Sequence, residues 1–134
     1  MLLSMDNAYE KAKAFFEERW DNEDIKVHSA CVIDCCRNMV RNTDLNPIVF
    51  DIAGWLHDLG RKDDKDRHHE IGVEYLDGFL RLYPEFGRLK PEIKDCILNH
   101  RRKQVPQTIY GRIMQVADKL SAHHNDWINF SKQS

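Results

Sequence analysis

An adjacent histidine and aspartate stand at the end of an apolar run in the segment Trp55-Leu56-His57-Asp58-Leu59-Gly60-Arg61. Imidazole nitrogens and carboxylate oxygens together are the donors that suit Fe, Mn, Co, Ni or Zn ions, whereas a Mg site rarely uses several histidines. A dipeptide is a weak motif by itself, and an ordinary surface ion pair is the alternative interpretation. The other histidines of the chain decide between the two.

Further histidines lie on or beside apolar helical stripes. His28 begins the spacing i, i+3, i+4, i+7 with Cys31, Val32 and Cys35, and His100 ends the same spacing after Ile93, Cys96 and Ile97. A single histidine on such a face is more often a hydrogen-bonded core residue than a metal ligand. Four histidines on four predicted helices, together with Asp58 and Asp118, would be costly to bury without partners. These histidines are His28, His57, His69 and His100. A shared divalent ion removes that cost and therefore favours a metal site.

Two adjacent histidines begin the predicted fourth helix, and periodicity does not choose between them. His69 shares a stripe with apolar residues such as Val73 and Leu76, while His68 points about 100° away toward Ile71 and Tyr75. Neither row is polar.

The segment that carries His57 and Asp58 is predicted to be a core helix. Its apolar residues recur at helical spacing, and Asn46-Pro47 has the form of a cap followed by proline at the first helical position. Gly60 stands where a left-handed C-terminal cap belongs. His57 and Asp58 are therefore expected on the last turn.

The remaining chain predicts five more helices and no strand, so the fold class is all-α. The first helix runs from about Ser4 to Trp20, the second from a cap at Asp24 to about Asn42, the fourth from His68 to Tyr83, the fifth from Pro91, and the sixth from Gln107 or Thr108. On the sixth helix, the residues expected to face inward are Ile109, Ile113, Val116, Ala117 and Leu120. The segment Ser121–Ser134 is expected to dock back through Trp127, Ile128 and Phe130. We expect one domain over residues 1–134.

Composition restricts the function classes. The net charge of −2 and the pI near 6.4 show no basic excess, which disfavours a nucleic-acid partner. No basic leader and no stretch of about 20 apolar residues is present in the sequence, so we expect a cytoplasmic protein without a membrane span. The four cysteines form no C-x-x-C pair and are predicted to be reduced core fillers: Cys31, Cys35, Cys36 and Cys96.

The order of His28, His57-Asp58 and Asp118 resembles the HD superfamily of metal-dependent phosphohydrolases. The resemblance covers roughly Val27 to Ala122. The dipeptide with its following Leu59-Gly60-Arg61 is close to the family's His-Asp-Ile-Gly-Lys form, although Arg61 stands where the family usually has lysine.

Two further matches point to members of that family that hold two metals. His69-Glu70-Ile71-Gly72 matches the family's His-x-x-Gly helix start, which favours His69 over His68. Asn99-His100-Arg101 matches the additional histidine of two-metal members.

The resemblance implies one or two divalent transition metal ions. The ligands of the first would be His28, His57, Asp58 and Asp118, and those of the second would be His69 and His100, with Asp58 bridging. Within this set, His57 and Asp58 are the predicted catalytic residues. The predicted substrate cations are Arg61, Lys62, Arg101, Arg102 and Lys119, each with a plain surface charge as its alternative. His123 and His124 are either outer-shell residues or an exposed pair.

The function implied by the resemblance is hydrolysis of a phosphate ester of a nucleotide or another small phosphorylated molecule by a metal-activated hydroxide. Two alternatives remain. Some HD-like proteins are di-iron oxygenases, and an HD-fold module could bind a nucleotide without catalysis. The complete set of metal donors argues against the module.

Overall fold

The computed structural model describes residues 4–133, and the side chains of residues 7–122. Its six α-helices are α1 (Ser4–Arg19), α2 (Glu23–Val40), α3 (Ile48–Leu56), α4 (His68–Leu82), α5 (Lys90–Leu98) and α6 (Ile109–Gln133). Short 3-10 helices cover Leu59–Lys62 and Pro84–Leu89. No strand occurs within residues 4–133, so the all-α prediction is confirmed. None of the helices over this range is both long and apolar enough to cross a membrane.

Helix α3 is the centre of the bundle. All nine of its residues are buried, and it packs against α1, α2 and α5. The Trp55 ring lies 5.7 Å from the rings of both Tyr9 and Phe16 on α1, which fixes that helix across it. Since a helix that is apolar all round must be enclosed by others, the predicted core helix is confirmed.

Helix α3 ends earlier than the sequence predicts. The backbone N–H of His57 makes the last helical bond to the Ala53 carbonyl (2.8 Å), and Asp58 leaves the helix with φ −107° and ψ 0°. Gly60 is buried in the following 3-10 helix and has no positive φ, so the predicted left-handed cap is wrong. A Cβ at Gly60 would lie 2.3 Å from the carbonyl oxygen of His68. Glycine is needed here because two segments that carry candidate ligands approach each other closely.

Helix α2 begins at a different cap from the one expected. The side chain of Asn22 accepts a hydrogen bond from the Ile25 N–H (3.1 Å), whereas Asp24 lies inside the first turn. The buried face of the helix comprises Ser29, Val32, Ile33, Cys36 and Val40. Of the four cysteines, all of them free, Cys36 and Cys96 are buried core fillers as predicted, whereas Cys31 and Cys35 are half-buried.

Helix α6 begins within one residue of the predicted start. The hydroxyl of Thr108 accepts from the Gly111 N–H (3.0 Å) and so caps the helix. Among residues 109–122 of the helix, the buried ones are Gly111, Ile113, Met114, Ala117 and Ser121. Ile109, Val116 and Leu120 are exposed (56%, 39% and 52%), so their predicted burial is wrong. The helix packs against α2 and α5 with the side that carries Asp118 directed toward them. The side chains of Trp127, Ile128 and Phe130 lie outside the described residues.

The connection between α5 and α6 is organised by one carboxylate. Asp95, only 7% exposed, accepts hydrogen bonds from the backbone N–H groups of Gln107 and Thr108, from the Thr108 hydroxyl (2.6 Å) and from the Asn99 side chain (2.8 Å). The segment between Asn99 and Thr108 carries His100. Asp95 thus holds both ends of the loop that positions this histidine.

Candidate metal centre

Four side chains from three parts of the fold converge into a first group: His28 on α2, His57 and Asp58 after α3, and Asp118 on α6. Nε2 of His28 lies 2.8 Å from Oδ1 of Asp118 and 3.4 Å from Oδ2 of Asp58. Nε2 of His57 lies 3.3 Å from each of the same two oxygens. Four donor atoms from distant parts of the chain therefore face one small volume, as the sequence predicts.

A second group adjoins the first and consists of Asp58, His68 and His100. Oδ1 of Asp58 lies 3.5 Å from Nε2 of His68 and 3.7 Å from Nε2 of His100. His69, the sequence-predicted ligand, is in neither group, and its Nε2 lies 4.0 Å from a Glu70 oxygen instead. The placement of His69 at the site is therefore corrected to His68. His68 is the first residue of α4, and the close approach of its backbone to Gly60 directs it inward.

Asp58 belongs to both groups through different oxygens. Its Oδ2 faces His28 and His57, and its Oδ1 faces His68 and His100. The carboxylate is 6% exposed, and Arg61 donates from Nε to Oδ1 (3.1 Å). This is the arrangement that a carboxylate bridging two ions requires.

The three most buried histidines are oriented in the same way. Nδ1 of His57 lies 2.8 Å from the Gly54 carbonyl, Nδ1 of His68 2.8 Å from the Lys65 carbonyl, and Nδ1 of His100 2.7 Å from the Ile97 carbonyl, each three residues earlier. A carbonyl only accepts, so each ring donates from Nδ1 and presents Nε2. Backbone hydrogen bonds of this kind fix the tautomer of metal-binding histidines.

The contacts of His68 and His100 test whether an ion fits. Their Nε2 atoms lie 3.1 Å apart. With both Nδ1 atoms protonated, two nitrogen lone pairs face each other, and this contact becomes favourable when a cation lies between them. Ligand atoms held at about 2.1 Å from one ion are at most about 4.2 Å apart, and the distances from histidine nitrogen to carboxylate oxygen in both groups range from 2.8 to 3.7 Å. The residues therefore fit a divalent metal ion in each group.

Protonation favours the same conclusion for the second group. Burial lowers the pKa of His100 to about 4 and also lowers the pKa of His68. Both rings are neutral at pH 7 and offer lone pairs to a metal.

The first group demands positive charge. Burial by itself would lower the pKa of His57, but the carboxylates of Asp58 and Asp118 raise it well above its ordinary value. Conversely, burial opposes the charge of Asp58, yet His57 and the Arg61 guanidinium hold the pKa of this carboxyl well below its usual range. A bound cation would satisfy the same two carboxylates.

The predicted substrate cations occupy different positions around the two groups. Arg61 pairs with Asp58, and Lys62 lies 3.3 Å from Asp63 in the exposed loop. Lys119 lines a cleft of about 320 Å³ that also exposes His100 and Asp118. Arg101 lines a neighbouring cavity instead, and Arg102 lines both. The side chains of His123 and His124 lie outside the described residues.

The sequence comparisons agree with this geometry. The model of the HD domain family matches residues 25–123. Ribonuclease Y of Ureaplasma parvum serovar 3 is 28% identical over 100 residues, which cover 75% of this chain and 20% of that protein. Ribonuclease Y of Geobacter metallireducens is 31% identical over 103 residues, or 75% of this chain and 18% of that protein. Ribonuclease Y of Mycoplasma genitalium is 38% identical over 73 residues, which cover 52% of this chain and 13% of that protein.

The chain thus spans about a fifth of the length of these curated relatives. No solved structure gives a significant match. The matched range of the family model contains every residue of the two candidate metal groups.

Proposed function

This chain belongs to the HD domain family, and on that premise we propose that it is a metal-dependent phosphohydrolase that cleaves a phosphate ester. The observation that supports the proposal most strongly is the sharing of Asp58 between two groups of buried donors. A binding module without catalysis would not need a carboxylate placed between two ion sites.

We assign His28, His57, Asp58 and Asp118 to the first ion, and Asp58, His68 and His100 to the second. The mixed nitrogen and oxygen donors favour Fe, Mn, Co, Ni or Zn over Mg. When bound, a pair of such ions lowers the pKa of water and polarises the phosphoryl oxygens of an ester. In the net reaction, the oxygen of water bonds to phosphorus, the ester P–O bond breaks, and the leaving oxygen takes a proton.

The protein residues contribute positioning and charge. The carbonyls of Gly54 and Ile97 accept hydrogen bonds from Nδ1 of His57 and of His100. These bonds fix the orientation of each ring, so that Nε2 is preorganised to bind a metal ion. Arg61 restrains the Asp58 carboxylate. Lys119 lines the cleft beside Asp118, and in this proposal it binds phosphoryl oxygens and stabilises the charge that develops on them.

The proposed substrate is a nucleotide or another small phosphate ester, since the cleft of about 320 Å³ suits a ligand of that size. A second candidate is an RNA phosphodiester. It is favoured by the relatives named Ribonuclease Y, whose matched regions cover 75% of this chain. A basic turn at residues 101–103 beside the cleft would suit either substrate.

The test is hydrolysis by protein that has been stripped of metal and reloaded with Mn or Fe. Phosphate release is measured from nucleoside monophosphates and p-nitrophenyl phosphate, and chain cleavage from RNA oligonucleotides. We expect activity with metal, none after chelation, and none in metal-treated Asp58→Asn. A loaded wild-type protein that hydrolyses none of these substrates would overturn the proposal. Substrate-dependent O₂ uptake without hydrolysis would instead assign the di-iron oxygenase.

A further inference from the structure

We infer that the turn Arg101–Gln104 is a binding site for a second phosphate group of the substrate, distinct from the phosphate that is cleaved. This inference rests on the proposed function. It predicts that substrates carrying an additional phosphate are preferred over monophosphates.

The turn borders a cavity of its own. Arg101, Arg102, Lys103 and Gln104 line a volume of about 470 Å³. Arg102 also lines the smaller cleft that holds His100 and Asp118, so the two spaces adjoin at this residue. His100 and Arg102 are two residues apart, which limits their Cα separation to about 7 Å. A substrate whose reacting phosphate lies at the metal groups can therefore reach the turn with a neighbouring phosphate.

The turn is braced before any ligand binds. The Gln104 N–H donates to the Arg101 carbonyl (3.0 Å), and the Arg101 N–H donates to Oε1 of Gln104 (3.1 Å). From α6, the side-chain amide of Gln115 donates to the carbonyls of Arg101 and Gln104 (2.8 Å each). Together with the Asp95 contacts to the end of the same loop, these bonds fix the backbone that carries the three cations. A preorganised site loses less conformational entropy when it binds a ligand.

The positive charges of the turn are not neutralised by the part of the protein whose side chains are described. No carboxylate of residues 7–122 lies within 4.0 Å of Arg101, Arg102 or Lys103. By contrast, Arg61 pairs with Asp58 and Arg67 with Glu70. Three consecutive cations lining one cavity attract an anion, and a phosphate offers the oxygens that arginine and lysine bind.

The test compares kcat/KM for three substrates: a nucleoside 5′-monophosphate, the 3′,5′-bisphosphate, and a 5′-phosphorylated dinucleotide. It is run on wild type and on the double variant Arg102→Gln/Lys103→Gln. Lys94→Gln, an exposed lysine on α5, is the matched control for loss of a positive charge. We expect the preference for the substrates with two phosphates to fall about tenfold or more in the double variant and to persist in Lys94→Gln. If the double variant loses the preference for the bisphosphate, the substrate is a small nucleotide. If it loses only the preference for the dinucleotide, the substrate is a nucleic acid chain.

A binding measurement separates this inference from the proposed function. Calorimetry on the metal-loaded protein measures the Kd of inorganic pyrophosphate and of orthophosphate. We expect the double variant to weaken pyrophosphate binding about tenfold more than orthophosphate binding. If the substrate preference and the pyrophosphate Kd are the same in wild type and variant, the inference is overturned, even when hydrolysis itself is observed. If no substrate is hydrolysed, the proposed function fails. The pyrophosphate Kd alone then tests whether the turn binds a second phosphate group.

Discussion

Nε2 of His68 and Nε2 of His100 lie 3.1 Å apart, although both rings use Nδ1 to donate to backbone carbonyls. Two nitrogen lone pairs are thereby directed at each other in a buried place beside a carboxylate oxygen of Asp58. A bound divalent cation would accept both lone pairs and so remove this repulsion. The pair is thus the part of the site most dependent on a bound ion.

Replacing His68 should remove the second ion, and replacing its neighbour should not. We expect His68→Ala to lose about one metal equivalent per chain, because a direct ligand contributes more than the roughly 10- to 100-fold in affinity typical of outer-shell residues. His69→Ala is the matched control, since His69 lies outside both groups. Elemental analysis after dialysis measures the ratio. If His68→Ala keeps its full metal content and His69→Ala loses one equivalent, the ligand is His69, as the sequence predicted.

Replacing Asp58 should affect both ions at once. Asp58→Asn keeps the shape of the side chain but removes the charge shared by the two groups, so we expect metal content near zero and no metal-dependent hydrolysis. In wild type, metal at a hundred times its Kd should raise the free energy of unfolding by about 2.7 kcal/mol, and in Asp58→Asn by almost nothing. Asp63→Asn, in the exposed loop nearby, should behave like wild type. Urea unfolding with and without metal measures the difference, and equal stabilisation of Asp58→Asn would contradict the shared carboxylate.

Gly60→Ala should destabilise the fold by about 1–3 kcal/mol because the added methyl group would meet the His68 backbone, which has little freedom to move. The same shift should displace His68 and weaken the second ion site. Gly87→Ala is the control, since a Cβ there has nothing within 4 Å. Thermal unfolding of the metal-free proteins reads the first effect and metal titration the second. If Gly60→Ala leaves the free energy of unfolding unchanged, the backbones of residue 60 and His68 do not approach each other as closely as described.

Asp95 should make stability depend on pH in the acid range. Burial opposes its charge, but the hydrogen bonds from Thr108, Gln107 and Asn99 outweigh burial and lower its pKa below the ordinary value of 3.8. A carboxyl whose pKa is lower in the folded state stabilises the fold fully above its unfolded pKa, and this contribution is lost as the pH falls through the folded pKa.

We therefore expect Asp95→Asn to lose about 2–4 kcal/mol of unfolding free energy at pH 7, since buried donors lose a charged acceptor. The difference between wild type and variant should shrink below pH 3.8. Chemical denaturation in the presence of a chelator, from pH 7 down to pH 3, measures it. A difference that stays constant with pH would show that the charge of Asp95 does not stabilise the loop.

The sequence by itself determined the helical fold, and its resemblance to the HD superfamily implied the residues of the first candidate metal group. Hydrophobic periodicity is a local property, so α3 as a core helix and the inward direction of His28 and His100 follow from spacing alone. The types and the order of His57, Asp58 and Asp118 carry the resemblance to that family, and both properties are visible in the sequence.

Only the tertiary structure decided the second group and the rotation of the helices. His68 and His69 both lie on apolar rows, and the close approach of the His68 backbone to Gly60, in the preceding 3-10 helix, selects between them. The exposure of Val116 and Leu120 was likewise set by the way α6 packs on α2 and α5. Spacing along one helix defines which residues share a face, but the neighbours that bury that face come from distant sequence, and their contacts choose the rotation.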